Sequence, residues 1–475
     1  MNKVKKFFVT TPIYYINDVP HIGHAYTTFA ADILAGYHRQ VGDDTFFLTG
    51  IDENSQKTVL AAENAKKEIK GYTDELAKKW KSTWKKLGIS NDDFIRTTQP
   101  RHVKVVQEIF KKIADNGDLY KGKYEGLYCV GHEAFLKEDD LDEKGLCPDH
   151  QTKPEKIVED NYFFRLSKYQ DALVKHFTKN PKFVEPKERY NEIFNFIKGG
   201  LQDISVTRET QKWGIPAPND PRQVIYVWFD ALINYISADP SKWPADVHII
   251  GKDILRFHAV IWPAMLLSAG HPLPKKIFAH GFFTVDGVKI SKSLGNAIDP
   301  LAISEKYGVD ALRYFLFKEI PFGNDGDFSF KRLEEVYNAD LANGLGNLVA
   351  RVAKLCENSG ERYTIHEVGN PLANPTGDRE KRIIEYLEKL YFKDVLDLIW
   401  LEVTELDQTI DKEQPWVLLK KSKKDAHYLL QRLLLRLEKV GKLVAPFLPE
   451  TSAKIAQQFT GPKIKSAKPL FPRIQ

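Results

Sequence analysis

Four side chains at two distant points of the chain carry the chemistry that a nucleoside triphosphate requires. His21 and His24 lie in His21-Ile22-Gly23-His24, and Lys289 and Lys292 lie in Lys289-Ile290-Ser291-Lys292-Ser293. Two imidazoles one helical turn apart can donate to phosphate oxygens as negative charge builds on them. Two ammonium groups on a loop of small residues suit a departing pyrophosphate. The first string sits between an apolar β-like run, Phe7 to Thr11, and a helix-like run in which Ala25, Phe29, Ile33 and Tyr37 recur every four residues, with Gly42 as its stop. A strand–turn–helix with glycine at the turn opens backbone N–H groups to a phosphate, which adds Gly23 to the candidates. Each string alone also fits an ordinary role, a buried helix start or a solvated lysine loop. Together they read as the two halves of one ATP site that forms an adenylate.

The elements around these strings follow an α/β pattern. Asp43 to Asp52 reads as a buried strand ending in polar residues, and Arg101 to Asn116 as an amphipathic helix with Val105, Ile109 and Ile113 on one face and Gly117 as its stop. That is the logic of a parallel sheet, whose ligands bind beyond the carboxyl ends of the strands, where Asp52 and the His21–His24 turn both fall. From 117 to 222 the texture changes to shorter strands, more glycine and a Cys/His cluster, as expected of an insertion. The sheet pattern resumes over Gln223–Asp230 and Val247–Gly251. From 331 onward the chain reads as helices, with stripes Leu345/Leu348/Val349/Val352/Leu355 and Leu396/Ile399/Val403/Leu406/Ile410, and a dense apolar run from Leu429 to Val444. Ser359 to Asp378 is an inter-helix loop on this reading. The expected organisation is a Rossmann-like parallel-sheet domain in two halves, 1–116 and 223–330, split by an insertion at 117–222 and followed by an all-α domain at 331–475.

A length of 475 residues divides, as a soft prior, into about three domains. No stretch reaches the about 20 apolar residues that span a bilayer, and the basic start Met1–Lys6 lacks an apolar signal core or a cleavage site. Three cysteines exclude a disulfide framework. A soluble, cytoplasmic protein is expected, without a membrane partner. The net charge of +5 is unevenly divided: residues 416–475 hold thirteen Lys and Arg against Asp425, Glu438 and Glu450. A basic carboxyl-terminal region on a mildly acidic body fits a polyanion bound there, and equally fits a solubilising helical surface.

Both strings, in this order and with these flanks, resemble the class I aminoacyl-tRNA synthetases; the second string departs from the commoner Lys-Met-Ser-Lys-Ser only at its apolar second residue. Further matches narrow the resemblance to methionyl-tRNA synthetases over essentially the whole chain. They are Thr11-Pro12-Ile13-Tyr14-Tyr15-Ile16-Asn17, Trp213-Gly214-Ile215-Pro216, Tyr226-Val227-Trp228-Phe229-Asp230, Gly251-Lys252-Asp253, His280-Gly281 and Asn338-Ala339-Asp340-Leu341 with Gly346-Asn347-Leu348. The leucyl, isoleucyl and valyl enzymes are similar at the ATP site but much longer, because they carry an editing domain.

The resemblance implies a methionine pocket of Ile13, Tyr15, Trp228, Ala231, Tyr235, Phe257, His258 and Ile261, with Trp262 as a further candidate and Asp52 accepting the substrate ammonium. Soft sulfur–aromatic contacts suit a thioether. It implies an ATP site of His21, Gly23, His24, Gly251, Asp253, Lys289 and Lys292, with Mg2+ accompanying ATP. No covalent enzyme nucleophile is implied. The family's usual Asp-Glu-His-Gly stands here as Asp52-Glu53-Asn54-Ser55, which keeps the carboxylate and removes the histidine. Cys129, His132, Cys147 and His150, in two pairs of C-x2-H spacing, form a four-ligand set for a structural zinc. Cys356 reads as core. Asn347, Arg351 and Trp416 match the family's anticodon readers, Trp416 as a stacking platform and Asn347 and Arg351 one helical turn apart. The partners implied are L-methionine and tRNA(Met), including the initiator. Homocysteine differs by one methyl group, which a pocket resolves by only about 1–3 kcal/mol, so clearance of its adenylate by cyclisation is also implied. No dimerising appendage follows Pro469–Arg473, so a monomer is expected. The rival readings are a small nucleotidylyltransferase, a sibling synthetase for another amino acid and a non-catalytic tRNA-binding relative.

Overall fold

The structure, a computed structural model, describes residues 4–129, 134–136, 138–148, 151–218, 220–285, 287–289, 298–363 and 369–474. The chain divides into two compact units, one of Phe7–Pro20 and Phe46–His280, the other of Met1–Lys6, His21–Thr45 and Gly281–Gln475. The helices that carry or frame the candidate residues are α1 (Ile22–Gln40), α2 (Pro100–Asp115), α3 (Val227–Leu232), α4 (Asn347–Ser359), α5 (Phe392–Glu413), α6 (Pro415–Lys421) and α7 (Lys423–Val444).

The first unit is built on a six-stranded sheet of β1 (Lys6–Tyr15), β2 (Asp44–Asp52), β3 (Asp93–Arg96), β4 (Val184–Glu185), β5 (Val247–Gly251) and β6 (Ile277–His280), in the spatial order β3-β2-β1-β5-β6-β4. The pairings β2/β3, β1/β5, β5/β6 and β6/β4 are parallel. Strands such as Val-His-Ile-Ile and Ile-Phe-Ala-His are buried along their length, as a parallel sheet covered on both faces demands. Helix α2 contributes Val106, Ile109, Phe110 and Ile113 to the core. The strand order reverses between β1 and β5. Crevices beyond the carboxyl ends of strands at such a switch point are where open α/β sheets bind ligands.

Two local expectations are corrected. Gln223–Asp230 does not rejoin the parallel sheet: Asp220–Ile225 is a strand of a three-stranded antiparallel sheet, and the chain turns at Tyr226 into α3. A short run that is buried on every side has no period to separate strand from helix. The insertion also holds longer strands than expected. Leu119–Cys129 pairs antiparallel with Glu155–Phe164, eleven residues against ten. Gly122, which reads as a break, instead lies under the ring of Phe163, 3.2 Å from where a Cβ would sit. The same segment also supplies the edge strand β4 of the parallel sheet.

The second unit contains α1 and the helices from residue 300 onward. Asp32 on α1 pairs with Arg313 at 2.7 Å, both buried, and the same guanidinium donates to the carbonyls of Phe447 (2.7 Å) and Pro446 (2.9 Å). A buried charge is tolerable when it is paired and its remaining donors are satisfied, as here. Gln40 adds a bond to the Lys442 carbonyl at 2.8 Å. The stripe Leu396, Ile399, Val403, Leu406 and Ile410 on α5 is buried, as are Leu429, Leu430, Leu433, Leu434, Leu437 and Val444 on α7. Cys356 is core, and burial pushes its thiol up to about 12. The interval between α4 and the next helix, which begins at Asp378, contains no helix or strand among its described residues.

Candidate functional site

The turn that opens α1 is built by its own histidines. His21 is the N-cap; its Nδ1 accepts from the Gly23 N–H at 3.1 Å, while the His24 Nδ1 accepts from the His21 N–H at 3.1 Å. This reciprocal cap assigns the tautomer of both rings: Nδ1 accepts, so Nε2 carries the hydrogen. The rings stack with centroids 3.7 Å apart. A side chain at Gly23 would place its Cβ 3.0 Å from His21 Cε1, a tight contact that would make the ring shift from its place over the turn. The first turn of α1 carries no acidic residue, and the positive end of a helix favours an anion. The Ile22 N–H bonds the Ile298 carbonyl at 3.0 Å, which anchors the chain five residues beyond Ser293 to the start of α1. Lys289 pairs through its backbone with Thr284 in the hairpin of Phe283–Val285 and Val288–Lys289. Lys292, with Ile290, Ser291 and Ser293, lies outside the described residues.

In the sheet unit, the candidates gather at strand ends flanking the switch point. Ile13 and Tyr15 end β1, Asp52 ends β2 and Gly251 ends β5. After β5 the chain turns tightly, and the Asp253 carboxylate folds back over Gly251; a Cβ there would stand 2.6 Å from Asp253 Oδ1. Trp228 stacks on Phe257 with centroids 3.9 Å apart and planes 8° from parallel, and Tyr15 meets Trp228 edge-on at 6.1 Å. These rings and Ile261 are half-buried, whereas Ala231, Tyr235 and His258 are buried. Phe257, His258 and Ile261 ride on a π-helical segment, Phe257–Ile261, a backbone irregularity frequent at functional sites. His258 Nδ1 donates to the Ile254 carbonyl at 3.0 Å, so Nε2 accepts from the Tyr235 hydroxyl at 2.7 Å. Burial holds the imidazole neutral, with its pKa lowered to about 4. The result is an aromatic cluster with one neutral polar pair, Tyr235 and His258, buried in it, and an acid, Asp52, at a strand end of the same unit.

The segment after Asp52 is fixed by hydrogen bonds that the sequence did not reveal. The Asn54 N–H donates to Asp52 Oδ1 at 3.0 Å, and the Asn54 amide donates to Asp230 Oδ2 at 2.8 Å. Asp230 Oδ1 accepts from His102 Nε2 at 2.8 Å, and His102 Nδ1 meets the Ser237 hydroxyl at 2.7 Å. Trp213 Nε1 donates to the Glu53 carbonyl at 2.8 Å, and Gln211 to the Asn54 carbonyl at 3.1 Å, which gives the Trp213–Pro216 motif a mechanical reason. Glu53 is itself held by Arg96 Nε at 2.9 Å and by the Thr98 hydroxyl, and Ser55 caps the following helix through the Thr58 N–H at 3.1 Å. The only sequence signal for this frame was a run of polar residues at a strand end. Its partners lie about fifty to two hundred residues away in the chain, beyond the reach of any periodicity.

Cys129, at the end of its strand, and Cys147 are both buried. The Cys147 N–H bonds the Thr152 carbonyl at 2.9 Å and its carbonyl accepts from Gln151 at 2.8 Å, a closed knuckle-like turn. His132 and His150 lie outside the described residues. Two thiols and two imidazoles are a donor set that fits tetrahedral zinc.

On the helical unit, Asn347 opens α4 directly after a π-helical segment, Tyr337–Gly346, and is exposed. Arg351 donates to Asp407 at 2.5 Å and to Asp411 at 2.6 Å, both carboxylates on α5. Trp416 follows Pro415 at the start of α6 and leaves 43 % of its surface exposed. It is therefore presented to solvent and not used as core at that helix start.

The family model described as "tRNA synthetases class I (M)" matches residues 7–156 and 150–353. The methionine–tRNA ligase of Thermotoga maritima is 46 % identical over 95 % of this chain and 74 % of its own length; that of a Nostoc species is 44 % identical over 96 % and 91 %. A solved structure of Mycobacterium tuberculosis methionyl-tRNA synthetase in complex with methionyl-adenylate superposes with a TM-score of 0.92 at 36 % identity, covering 99 % of this chain and 100 % of that one. The apo form of that enzyme matches with a TM-score of 0.83. A parallel sheet with ligand candidates at its switch point, a histidine-capped helix start and a helical carboxyl-terminal region thus define a class I aminoacyl-tRNA synthetase. Within that class the chain belongs to the methionine–tRNA ligases, ATP-dependent enzymes that join methionine to tRNA. Among its described residues no helix is long and apolar enough to cross a membrane.

Proposed function

We propose that this chain activates L-methionine with ATP to methionyl-adenylate and transfers it to the 3′ end of tRNA(Met), with the following division of labour. The methionine carboxylate attacks the α-phosphorus of Mg2+-bound ATP in line, and pyrophosphate leaves. The Nε2–H groups of His21 and His24 donate to triphosphate oxygens, strengthening as charge develops in the transition state. Lys289 and Lys292 neutralise the departing pyrophosphate, and Gly23, at the turn, admits the phosphate to the backbone. Asp52 accepts the substrate ammonium; Ile13, Tyr15, Trp228, Ala231, Tyr235, Phe257, His258 and Ile261 take the thioether side chain. Gly251 and Asp253 receive the adenosine, with Asp253 accepting from ribose hydroxyls. The terminal ribose hydroxyl of tRNA then attacks the carbonyl carbon of the mixed anhydride, the bond to the phosphate oxygen breaks and AMP leaves, with the hydroxyl proton released. Residues 1–116 and 223–330 are the catalytic halves around the insertion 117–222, and 331–475 bind the anticodon through Asn347, Arg351 and Trp416. Cys129, Cys147, His132 and His150 are the residues that would hold a structural zinc, whose part is to close the knuckle. The cytoplasm is the expected site of action.

The observation that carries this reading is the reciprocal histidine cap, which fixes Nδ1 of both rings as acceptors and so sets both Nε2 atoms as the N–H donors at the start of α1. The test is amino-acid-dependent exchange of pyrophosphate into ATP across a panel of amino acids. Exchange with methionine alone is the expected result. Exchange with a different amino acid would overturn the pocket assignment, and no exchange with any would overturn the catalytic one.

A further inference from the structure

We infer that Asn54 is a positioning residue for the amino-acid pocket, the tie that holds the ammonium-binding strand end against the helix bearing Trp228 and Ala231. The inference rests on the methionine reading above. Asn54 has two hands. Its backbone N–H holds Asp52 Oδ1 at 3.0 Å, and its side-chain amide holds Asp230 Oδ2 at 2.8 Å. Asp230 lies on α3 between Trp228 and Ala231, so the amide links the end of β2 to the wall that takes the side chain. The far side of Asp230 is anchored as well: Oδ1 accepts from His102 Nε2, and His102 Nδ1 lies 2.7 Å from the Ser237 hydroxyl. Asn54, Asp230, His102 and Ser237 are all buried. A carboxylate in such a place needs a donor on each oxygen, and Asn54 is the donor shown on one of them.

Asparagine supplies what the tie requires, a neutral amide N–H donor of moderate reach, and the following Ser55 caps the next helix through the Thr58 N–H. The chemistry predicts which replacements work. Asn54→His retains a donor. Asn54→Ala leaves an Asp230 oxygen without its partner, and Asn54→Asp sets a second carboxylate against it, the worst case. Because the tie orders the ground-state pocket, its loss acts on uniform binding of methionine and raises KM without a matching fall in kcat.

The experiment is pyrophosphate exchange on the full chain and these three variants, with KM measured separately for methionine and ATP. The expected order of methionine KM is unmodified, then Asn54→His, then Asn54→Ala, then Asn54→Asp. For Asn54→Ala the rise is about tenfold, with ATP KM and kcat held within about twofold. Equal rises in both KM values, or a methionine KM that ignores the residue at 54, would overturn the inference. Should Asn54→Ala not fold, the pair Asn54→His and Asn54→Asp carries the same test: a lower methionine KM for histidine supports the tie, and equal values overturn it. The unmodified protein separates the two levels. Without methionine-dependent exchange there, the functional reading itself fails; with exchange there but no effect at 54, only this inference does.

Discussion

The proposed amino-acid pocket and the face formed by α4, α5 and α6, proposed to read the anticodon, are built in opposite ways. In the proposed pocket the acid and the groups behind it are buried and tied: Asp52 is 2 % exposed, and behind it Asn54, Asp230, His102 and Ser237 form an unbroken hydrogen-bonded chain. On the helical face Asn347 is exposed, Trp416 is nearly half exposed and Arg351 rests on two carboxylates that are themselves open to solvent. The difference matches the ligands proposed for each. A small amino acid is distinguished by fixed walls, where a misplacement of one group costs heavily. A single-stranded base is caught by stacking on an exposed ring and by edge contacts that order as it binds. The two regions share one device, since each lies on or directly beside a π-helical segment, Phe257–Ile261 and Tyr337–Gly346.

If the contrast is right, single substitutions have large effects in the pocket and small ones on the face. The largest is Asp52→Asn. Truncating one partner of a buried charge pair costs about 2–5 kcal/mol, so methionine KM in the exchange assay rises about thirtyfold or more while ATP KM stays put. A rise confined to ATP would remove Asp52 from ammonium binding. Next is the pH response of His258. Its folded pKa of about 4 lies below the ordinary imidazole value, so the unfolded chain takes up more protons between these limits and stability falls as pH drops through that window. The loss reaches up to about 3 kcal/mol at its lower end. Denaturant midpoints measured from pH 7 to 5 should fall more steeply for the unmodified protein than for His258→Gln. Parallel slopes would mean that His258 is not held neutral in the folded state.

The same contrast accounts for what could be read in advance. The histidine turn and the strand-end acid were legible, because phosphate chemistry at a helix start requires a particular residue spacing. The stripes on α5 and α7 were legible because one face is wet and the other dry. Gln223–Asp230 was misread as a strand of the parallel sheet, when its first three residues belong to another sheet and Val227–Asp230 is helical, because a run buried all round carries no period; the Asp230 within it finds its partners at 54 and 102. Asp32 shows the same limit: a carboxylate on the buried side of α1 makes sense only once Arg313 is seen beside it. Local spacing predicts elements; buried polar pairs are set by tertiary structure.

The remaining predictions concern the exposed face. Trp416→Ala removes the proposed stacking platform, which is worth about 1–3 kcal/mol. tRNA affinity, measured by filter binding or by KM in aminoacylation, should fall accordingly, with exchange in the absence of tRNA unchanged. A fall in exchange would make Trp416 a structural residue after all. The smallest effect is the most discriminating, at Asp411. Arg351 is held by Asp407 and Asp411, four residues apart on α5, and such half-exposed pairs contribute only about 0–1 kcal/mol. These carboxylates compete with an RNA for the guanidinium and add negative charge where a polyanion is to dock. Asp411→Asn should therefore tighten tRNA binding by a small factor at low salt, and the gain should shrink as salt rises. If the carboxylates served instead to aim Arg351 at a base, as the pocket's frame aims Asp52, the same substitution would weaken binding at every salt concentration. The sign of one modest change thus decides whether the proposed anticodon face is adaptable, as its exposure argues, or pre-set like the proposed pocket.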